Sequence, residues 1–443
     1  MREVKATKNY DLFNLLYRVM NMIDPRLLRQ ELTLVADRLK TRGFMLNTER
    51  FVALEHDRKH WHHRAESAQQ QRNTLSKQIG ILRASQQDTT ELQEQVVTLK
   101  TELETAEYQL AQIEQQLEAL SLELPNIPAA HVPMGESEDQ NVIVKTVGEI
   151  KRSTGIDHID LLEPYKLILN EQAAQLSGSR FSILKGPVAR LHRALTQYML
   201  DYHAQAGYIE YYVPYLVQAS ALVGTGQLPK FEADLFCLKG ERSLYLIPTA
   251  EVPLTNLVAD TILQTDELPL KMMAHTPCFR SEAGSYGKDT KGLFRQHQFE
   301  KIELVHIATP QQSHVELESM VEHVSGLLSS LELPHRIMQL CTGDMGFASA
   351  QTFDLEVWLP GQARYREISS CSNFHEFQAR RLKARHRKQQ KDKTEFVHTL
   401  NGSGVAVGRA LIAVIENHGT SEGCAIPQAL RPFLGGFDFV SWQ

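Results

Sequence analysis

The sequence predicts an α+β protein in which a long antiparallel helical hairpin precedes a domain built on an antiparallel β-sheet flanked by helices. Two observations predict this fold. Between residues 48 and 124, apolar side chains recur at gaps of three and four residues, which is typical of long amphipathic helices. Further along, strand-like runs such as "KIELVHIA" and "TFDLEVWLP" have few helices between them. This order favours an antiparallel sheet over a doubly wound parallel one.

The hairpin is predicted from two apolar seams separated by the short polar segment "ASQQDTT". The second helix is expected over 91–124 and spans about 50 Å at about 1.5 Å per residue. Its seam consists of Leu92, Val96, Leu99, Leu103, Ala106, Leu110, Ile113, Leu117, Leu120 and Leu124. The first helix, 48–84, repeats the pattern but places Arg58 and Arg72 at two seam positions. Two long helices joined by a tight turn predict an arm packed mostly against itself.

The two helices of the hairpin differ in charge. Residues 48–84 carry seven Lys or Arg against four acids, whereas 91–124 carry eight Glu and one Lys. One interpretation is that the helices attract each other by opposite charge. The other is that the basic flank of an exposed arm contacts a phosphate backbone.

The composition predicts four regions. Residues 1–21 form an extension ahead of Met22 that lacks the apolar core and cleavage site of a secretory signal, and we expect it to be disordered or not native. The helical arm is expected over 22–130. A segment rich in Pro and then in small and acidic residues predicts a linker over 131–150. The sheet domain is expected over 151–443.

Bulk composition excludes several classes of protein. The five cysteines are far apart and form no C-x-x-C pair, so we expect neither a structural zinc site nor a disulfide framework. No segment approaches the ~20 apolar residues that span a bilayer. These features predict a cytoplasmic protein with no membrane partner. A net charge of −6 argues against nonspecific coating of polyanions but allows a local basic surface.

The stretch "LNGSGVAVGRALIAVIEN" places Arg409 among apolar residues. Its glycine spacing lacks the context of a dinucleotide fingerprint and the Lys-Ser/Thr of a P-loop. The segment predicts a glycine-rich turn followed by a buried helix from Val405 to Ile415. An arginine in such a helix needs an anion. That anion is either an internal carboxylate or a ligand, and the stretch alone leaves both open.

A second segment, "TPCFRSEAGSYGKDTKGLFRQHQFEKIELV", favours the ligand. Arg280 and Glu282 follow a strand-like run, a loop with Lys288, Lys291 and Arg295 comes next, and a return strand follows. A strand, a basic loop and a return strand offer a fixed guanidinium for a phosphate. The alternative is an ordinary surface hairpin with solvated charges.

Together these segments resemble the seryl-tRNA synthetases of the bacterial type, a family of class II aminoacyl-tRNA synthetases. The last two segments resemble the third and second motifs of the class, and the segment around Pro214 resembles the first. The more specific features are "GTGQLPKF" (224–231), "TAE" (249–251) and "EISSCSN" (367–373). The resemblance runs from Met22 to the C-terminal region. It implies a tRNA-binding arm over 22–130 and a class II catalytic domain over 151–443.

The resemblance implies an ATP-dependent serine–tRNA ligase. Such an enzyme activates L-serine with ATP to seryl-adenylate and pyrophosphate, then transfers serine to the 3′ end of tRNA(Ser), and of tRNA(Sec) where that tRNA is present. The serine carboxylate is itself the nucleophile, so the protein mainly positions reactants and neutralises charge.

The resemblance also implies roles for individual residues around ATP. Arg280 and Arg409 would be the catalytic cations, holding the α- and γ-phosphates. Glu282 would accept from the adenine amino group while Phe299 stacks on the ring. Hard oxygen ligands suit Mg²⁺, and the two implied are Glu367 and Ser370. The full ATP-binding set is Arg280, Ser281, Glu282, Phe299, Glu367, Ile368, Ser369, Ser370 and Arg409.

For serine, the resemblance implies that Thr249, Ala250 and Glu251 lie near the ammonium group, Glu303 accepts from the hydroxyl, and Ser403 completes the pocket. A buried carboxylate that accepts from a hydroxyl rejects alanine strongly, because its charge would be left unpaired. From the residues alone, Glu303 would instead be a strand carboxylate paired with Lys301.

The implied macromolecular partners are tRNA and a second copy of the chain. Arg64, Arg72 and Lys77 are expected to contact tRNA, although the seam position of Arg72 also allows a structural role. Lys288 and Lys291 are expected to guide the acceptor end. The homodimer would form through the segment around Pro214. Two alternatives are a relative that loads an amino acid onto a carrier protein and a noncatalytic tRNA-binding homologue.

Overall fold

The computed structural model describes residues 23–150, 155–240, 243–283 and 292–443. The chain divides into two compact units. The first comprises the residues up to Lys40 together with Phe44–Leu124, and the second comprises Thr41–Gly43 and Pro125–Gln443. The extension predicted over 1–21 lies outside the described residues. No helix within the described ranges is long and apolar enough to cross a membrane.

The first unit is helical. Its helices are α1 (Pro25–Gln30), α2 (Leu32–Lys40), α3 (Thr48–Ala84) and α4 (Thr90–Leu122). The Asn47 side chain accepts from the N–H of Arg50 and caps the start of α3. The Asp88 side chain accepts from the N–H of Thr90, at the start of α4.

The long hairpin of α3 and α4 confirms the predicted seam. On α3 the buried residues include Phe51, Leu54 and Ala68. On α4 every predicted seam position within the helix is buried or half-buried, and Val97 and Tyr108, which lie off the seam, are exposed. Burial of one stripe on each helix is what a packed coiled-coil pair requires.

The second unit is built on one large sheet. Its strands run in the order β1-β8-β9-β10-β13-β7-β6-β2, and all neighbours are antiparallel except β2 and β6. Their bounds are β1 Val142–Val147, β2 Ile209–Glu210, β6 Leu270–Phe279, β7 Gln298–Ala308, β8 His335–Gln339, β9 Gln351–Leu359, β10 Arg364–Asn373 and β13 His398–Ala406. The predicted antiparallel sheet is therefore confirmed.

Smaller strands and helices surround this sheet. The remaining strands are β3 Leu216–Gln218, β4 Leu244–Leu246, β5 Ile262–Gln264, β11 Arg385–Arg387, β12 Glu395–Phe396, β14 Gly423–Ala425 and β15 Phe439–Ser441. The helices are α5 His158–Leu162, α6 Asn170–Ser177, α7 Gly186–Gln205, α8 Ala219–Thr225, α9 Glu251–Asn256, α10 Ser313–Ser330, α11 Phe377–Leu382 and α12 Val407–His418. The main core includes buried residues of α7, α10 and α12 together with the sheet.

The segment predicted as a linker, 131–150, is part of the second unit. Strand β1 lies within it and pairs with β8 at one edge of the large sheet. Val132 is buried in a small apolar cluster with Leu340 and Met345. Proline and acidic residues predict a linker in this segment, but it also contains the β-branched run "VIVKTV", which suits a strand.

The predicted glycine-rich turn before Arg409 is also wrong, because the segment forms β13 and α12 begins at Val407 rather than Val405. Its glycines serve packing. A Cβ at Gly402 would lie 2.5 Å from the sulfur of Met320, and one at Gly404 would lie 2.6 Å from Nε2 of His203. Strand β13 therefore favours glycine at these two positions, where it passes α10 and α7.

Candidate active site

A cavity of about 550 Å³ lies in the second unit, and most of the predicted site residues line it. Its walls include residues of β7, β10 and β13, of the first turn of α12 and of the segment that follows β6. The predicted residues on its surface are Thr249, Glu251, Arg280, Glu282, Phe299, Glu303, Glu367, Ile368, Ser370, Ser403 and Arg409. Residues more than 150 positions apart in sequence therefore share one site.

Arg409 lies in the first turn of α12, at the cavity wall. Its Nη1 donates to the backbone oxygen of Glu367 at 2.8 Å and lies 3.2 Å from Oε1 of the same residue. The guanidinium also lies 4.7 Å from the ring centre of Phe294. Its side chain is 24% exposed and that of Glu367 is 48% exposed. The internal ion pair, one of the two alternatives for Arg409, is therefore present. Arg409 also lines the cavity, so an anion bound there would contact it.

Arg280 follows the last residue of β6. Its backbone N–H donates to the oxygen of His297 at 2.9 Å and its Nε donates to the oxygen of Pro248 at 3.3 Å. The guanidinium lies 5.2 Å from the ring centre of Phe299. These contacts fix a permanent cation in the cavity wall beside an aromatic face.

Glu282 lies in the same wall and has a left-handed backbone, with φ of 52°. Its carboxylate accepts from Nη1 of Arg295 at 2.7 Å. Arg295 was predicted as one of the cations of the basic loop, and it anchors Glu282 here.

Glu367 and Ser370 lie on β10 and both line the cavity. In a regular strand, residues three apart point to opposite faces. The register with β9 shifts by one residue between Glu367 and Ser369, and such a bulge brings Glu367 and Ser370 to the same face. Desolvation opposes ionisation of Glu367, but the cations of Arg409 and Arg280 outweigh it and hold the pKa of Glu367 below its usual value. Two hard oxygen donors therefore meet on one wall, a set that fits Mg²⁺.

The cavity is also lined by buried carboxylates. Glu303 on β7 is 1% exposed and pairs with Lys301, two residues away on the same strand face. Glu251 at the start of α9 is also buried. Burial, and to a lesser extent the charge of Glu303, raises the pKa of Glu251 to about 7. Two acids and one lysine thus share a small desolvated space.

Gln378 on α11 orients Glu251. Its Nε2 donates to Oε1 of Glu251 at 2.7 Å and to the backbone oxygen of Thr225 at 3.1 Å. Its Oε1 accepts from the hydroxyl of Thr399 at 2.7 Å, which fixes the direction of the amide. Gln378 is 1% exposed, so this small network holds the carboxylate in one place.

Three of the residues predicted to bind ATP or serine do not line the cavity. Ala250 is fully buried in the apolar cluster beside β6 and β7. The hydroxyl of Ser281 donates to the backbone oxygen of Ala233. The hydroxyl of Ser369 donates to the backbone oxygen of Ser403, so Ser369 supports a cavity residue from behind.

The predicted tRNA contacts differ in setting. On α3, Arg64 and Lys77 are exposed, whereas Arg72 is half-buried and donates to Oε1 of Gln69 at 2.9 Å. Lys288 and Lys291 lie outside the described residues.

Several cavity residues were missed from the sequence. They are Thr225, Gln227, Phe294, Gln378 and Asn401. Phe294 is contacted by two guanidinium groups, those of Arg366 and Arg409. Thr225 and Gln227 lie within "GTGQLPKF", so their motif was found although their roles were not. Phe294 and Gln378 had no local signal, because their contacts are formed with distant segments.

A second cluster with metal-ligand chemistry lies outside the cavity and is explained without a metal. Nδ1 of His158 lies 2.8 Å from Oε1 of Glu416, and Asp157 is adjacent. The other oxygen of Glu416 accepts from the N–H of Gly361, and Asp157 accepts from the N–H of Ile159. The carboxylates already have N–H partners.

Family models match both units. The model of the seryl-tRNA synthetase N-terminal domain matches residues 22–128. The model of the class II tRNA synthetase core domain, for the G, H, P, S and T enzymes, matches residues 231–418.

Close relatives and solved structures agree with these matches. The chain is 53% identical over 429 residues to a serine–tRNA ligase of Hydrogenovibrio crunogenus, covering 95% of this chain and all of that protein. It is 52% identical over 431 residues to that of Neisseria meningitidis, covering 94% and 98% of the two chains. It superposes on the seryl-tRNA synthetase of Pyrococcus horikoshii, solved with ATP, with a TM-score of 0.89, 32% identity and coverage of 95% and 99%.

Proposed function

The chain belongs to the seryl-tRNA synthetase family, and from this membership we propose that it activates L-serine with ATP and transfers the seryl group to tRNA(Ser). It is thus assigned as a class II aminoacyl-tRNA synthetase and an ATP-dependent ligase. The observation that carries this proposal is the cavity itself. Arg280 and Arg409 line it together with the buried Glu251 and Glu303, which suits a polyphosphate and a small amino acid with an ammonium group and a hydroxyl.

Activation needs positioned charge and no protein nucleophile. The serine carboxylate attacks the α-phosphorus, the bond to the β-phosphate breaks, and pyrophosphate leaves. Arg280 neutralises the α-phosphate and Arg409 the γ-phosphate, with Phe299 beside the adenine and Glu282 at its amino group. Both guanidinium groups are held by backbone carbonyls, so they stabilise the developing charge with little reorganisation.

Glu367 and Ser370 would hold Mg²⁺ when ATP binds. The ion would supply a Lewis acid that draws charge from the phosphate oxygens. The bulge on β10 supports this assignment because it places both oxygen donors on the cavity wall.

Serine would be recognised at both of its polar ends. Glu251, oriented by Gln378, accepts from the ammonium group, and Thr249 lies two residues before it on the cavity wall. Glu303 accepts from the hydroxyl, and Ser403 faces it across the pairing of β13 with β7. Alanine would leave Glu303 without its partner, so the pocket selects for a hydroxyl.

We expect serine affinity to depend on pH through Glu251. Its pKa of about 7 in the free protein means that the ionised form is lost as the pH falls through neutrality. The kcat/KM for serine should therefore rise about tenfold between about pH 6 and about pH 8. Glu251→Gln should lower kcat/KM and abolish the rise. The same profile in both proteins would contradict the role of Glu251.

The arm would bind the tRNA through its phosphates and shape. The exposure of Arg64 and Lys77 on the basic helix α3 supports this use. The double variant Arg64→Ala, Lys77→Ala should raise the KM for tRNA and lower the salt dependence of binding by about one unit per lost phosphate contact.

The arm prediction has a matched control on the acidic helix. Lys100 on α4 is exposed and pairs with Glu104, and Lys100→Ala should leave the KM for tRNA unchanged. Serine-dependent pyrophosphate exchange, which needs no tRNA, should be the same in all these proteins. An unchanged KM for tRNA in the double variant would exclude the proposed contact.

Three further assignments stay predictions. A homodimer would form through the segment around Pro214, where Tyr212 is 91% exposed and Leu216 is 40% exposed. tRNA(Sec) would be a second substrate where it is present. A cytoplasmic location would suit a protein whose five cysteines are all free.

A pyrophosphate exchange assay with each amino acid tests the proposed function. Exchange should require serine and be weak with threonine and alanine. No serine-dependent exchange, or equal exchange with threonine, would overturn the proposal. Transfer to a carrier protein and not to tRNA(Ser) would support the carrier-loading alternative. The noncatalytic alternative is disfavoured because Arg280, Glu367 and Arg409 are all present and line the same cavity.

A further inference from the structure

Arg42 makes an unusual set of contacts within the second unit. It lies in the short segment Thr41–Gly43, which the sequence places between two helices of the arm but which packs as part of the catalytic unit. Its Nη1 donates to the backbone oxygens of Asn126 at 2.6 Å, Ser349 at 3.0 Å and, less closely, Phe347 at 3.4 Å. Its Nη2 donates to those of Met345 at 2.9 Å and Gly346 at 2.6 Å. One side chain therefore binds four of the five carbonyls of segment 345–349.

The chemistry of the guanidinium suits this role. Five carbonyl oxygens that converge on one point need a cation with several donors in a plane, which arginine supplies and lysine does not. Burial lowers the pKa of Arg42 to about 10, so the group remains charged at neutral pH.

Segment 345–349 forms one wall of the active-site cavity. Gly346, Phe347, Ala348 and Ser349 line it. The same wall is held from behind by Asn126, whose amide donates to the oxygen of Ala348 at 2.9 Å. Two of the carbonyls also accept from backbone N–H groups: that of Asn126 donates to the oxygen of Phe347 at 2.9 Å, and that of Ser349 donates to the oxygen of Gly346 at 3.0 Å.

The segment contacts neighbours of the residues predicted to bind serine. The ring of Phe347 lies 6.1 Å from that of Phe231 and 5.9 Å from that of Phe377. Phe231 ends the segment "GTGQLPKF" and Phe377 precedes Gln378, which orients Glu251. The hydroxyl of Ser349 contacts that of Thr352, which in turn contacts Ser372 on the cavity wall.

We propose that Arg42 is a positioning residue for the amino acid pocket: its guanidinium holds segment 345–349 so that this wall keeps the residues that bind serine in place. This inference rests on the proposed serine activation. Arg42 touches no reactant, so its removal acts through the shape of the pocket. Loss of the hydrogen bonds of Arg42 should weaken serine binding more than ATP binding. The two arginines predicted to bind phosphate, Arg280 and Arg409, are held by other carbonyls.

The test uses the full-length protein and the variants Arg42→Ala, Arg42→Lys and Arg26→Ala, the last an exposed arginine of α1. In pyrophosphate exchange, Arg42→Ala should raise the KM for serine about tenfold, the scale of one charged hydrogen bond, and the KM for ATP by less than about twofold. Millimolar guanidinium ion should lower the KM for serine of Arg42→Ala towards that of the unaltered protein. Arg42→Lys should be intermediate, and Arg26→Ala should be unchanged.

The outcomes separate this inference from the proposed function. If the unaltered protein shows no serine-dependent exchange, the proposed function fails and the inference fails with it. If it is active but Arg42→Ala matches Arg26→Ala, only the inference fails. A fall in kcat that follows the unfolded fraction measured by circular dichroism, with an unchanged KM for serine and no response to guanidinium, would also overturn the inference and leave Arg42 with a purely structural role.

Discussion

Replacing Arg409 with alanine is expected to lower serine-dependent pyrophosphate exchange by about a hundred- to a thousandfold while the protein stays folded. Arg409 is one of the three arginines that line the cavity, and the charge that it would meet on the triphosphate grows as pyrophosphate leaves. A loss of activity of this size is expected when one preorganised hydrogen-bond donor to a transition-state charge is removed. Measurement of kcat and KM for ATP, with thermal unfolding as a control, checks both parts of the prediction.

The structure explains why the fold should survive this substitution. The guanidinium of Arg409 is partly exposed, and its partner Glu367 is about half exposed, so alanine leaves no deeply buried charge without a partner. Arg409→Lys should retain part of the activity, because lysine keeps the positive charge but lacks the planar set of N–H donors of the guanidinium. Arg364→Ala, an exposed arginine at the start of β10, is the matched control. Activity that falls in proportion to the unfolded fraction would show that the ion pair with Glu367 is the whole role of Arg409.

The long hairpin could be predicted from the sequence to within two residues at each helix end, since its packing depends on a periodic pattern that is local to each helix. The predicted connection "ASQQDTT" separates α3 and α4 in the structure. Arg72 was expected at a seam position and is half-buried there. Helical periodicity therefore carried enough information to place even an atypical seam residue.

The glycine segment before Arg409 shows where local patterns mislead. Glycines between polar residues resemble a turn, yet Gly402 and Gly404 belong to a strand whose neighbours allow no Cβ. The constraint comes from α10 and α7, which are distant in sequence. The same limit applies to Gln378 and Arg42, since Gln378 binds Thr225 and Glu251 and Arg42 binds Asn126, all more than 80 residues away. Such contacts depend on tertiary packing and leave no mark in the spacing of nearby residues.

Replacing Glu303 with glutamine is expected to lower kcat/KM for serine about a hundredfold and to reduce the preference for serine over alanine by a similar factor. Glutamine keeps the size of the side chain and loses its charge. The carboxylate is 1% exposed, so its interaction with a serine hydroxyl is made in a desolvated space, where a charged hydrogen bond contributes most. Alanine offers no hydroxyl to either side chain, and its low activity should change much less.

A second readout separates this role from the pairing of Glu303 with Lys301. The charge of Glu303 contributes to the raised pKa of Glu251, so Glu303→Gln should lower that pKa. The pH at which kcat/KM for serine is half its maximum should then move below about 7. Glu318→Gln, a surface variant on α10, should move neither quantity. A lower midpoint with an unchanged ratio of serine to alanine would mean that Glu303 acts through the electrostatics of Glu251 and does not bind the hydroxyl.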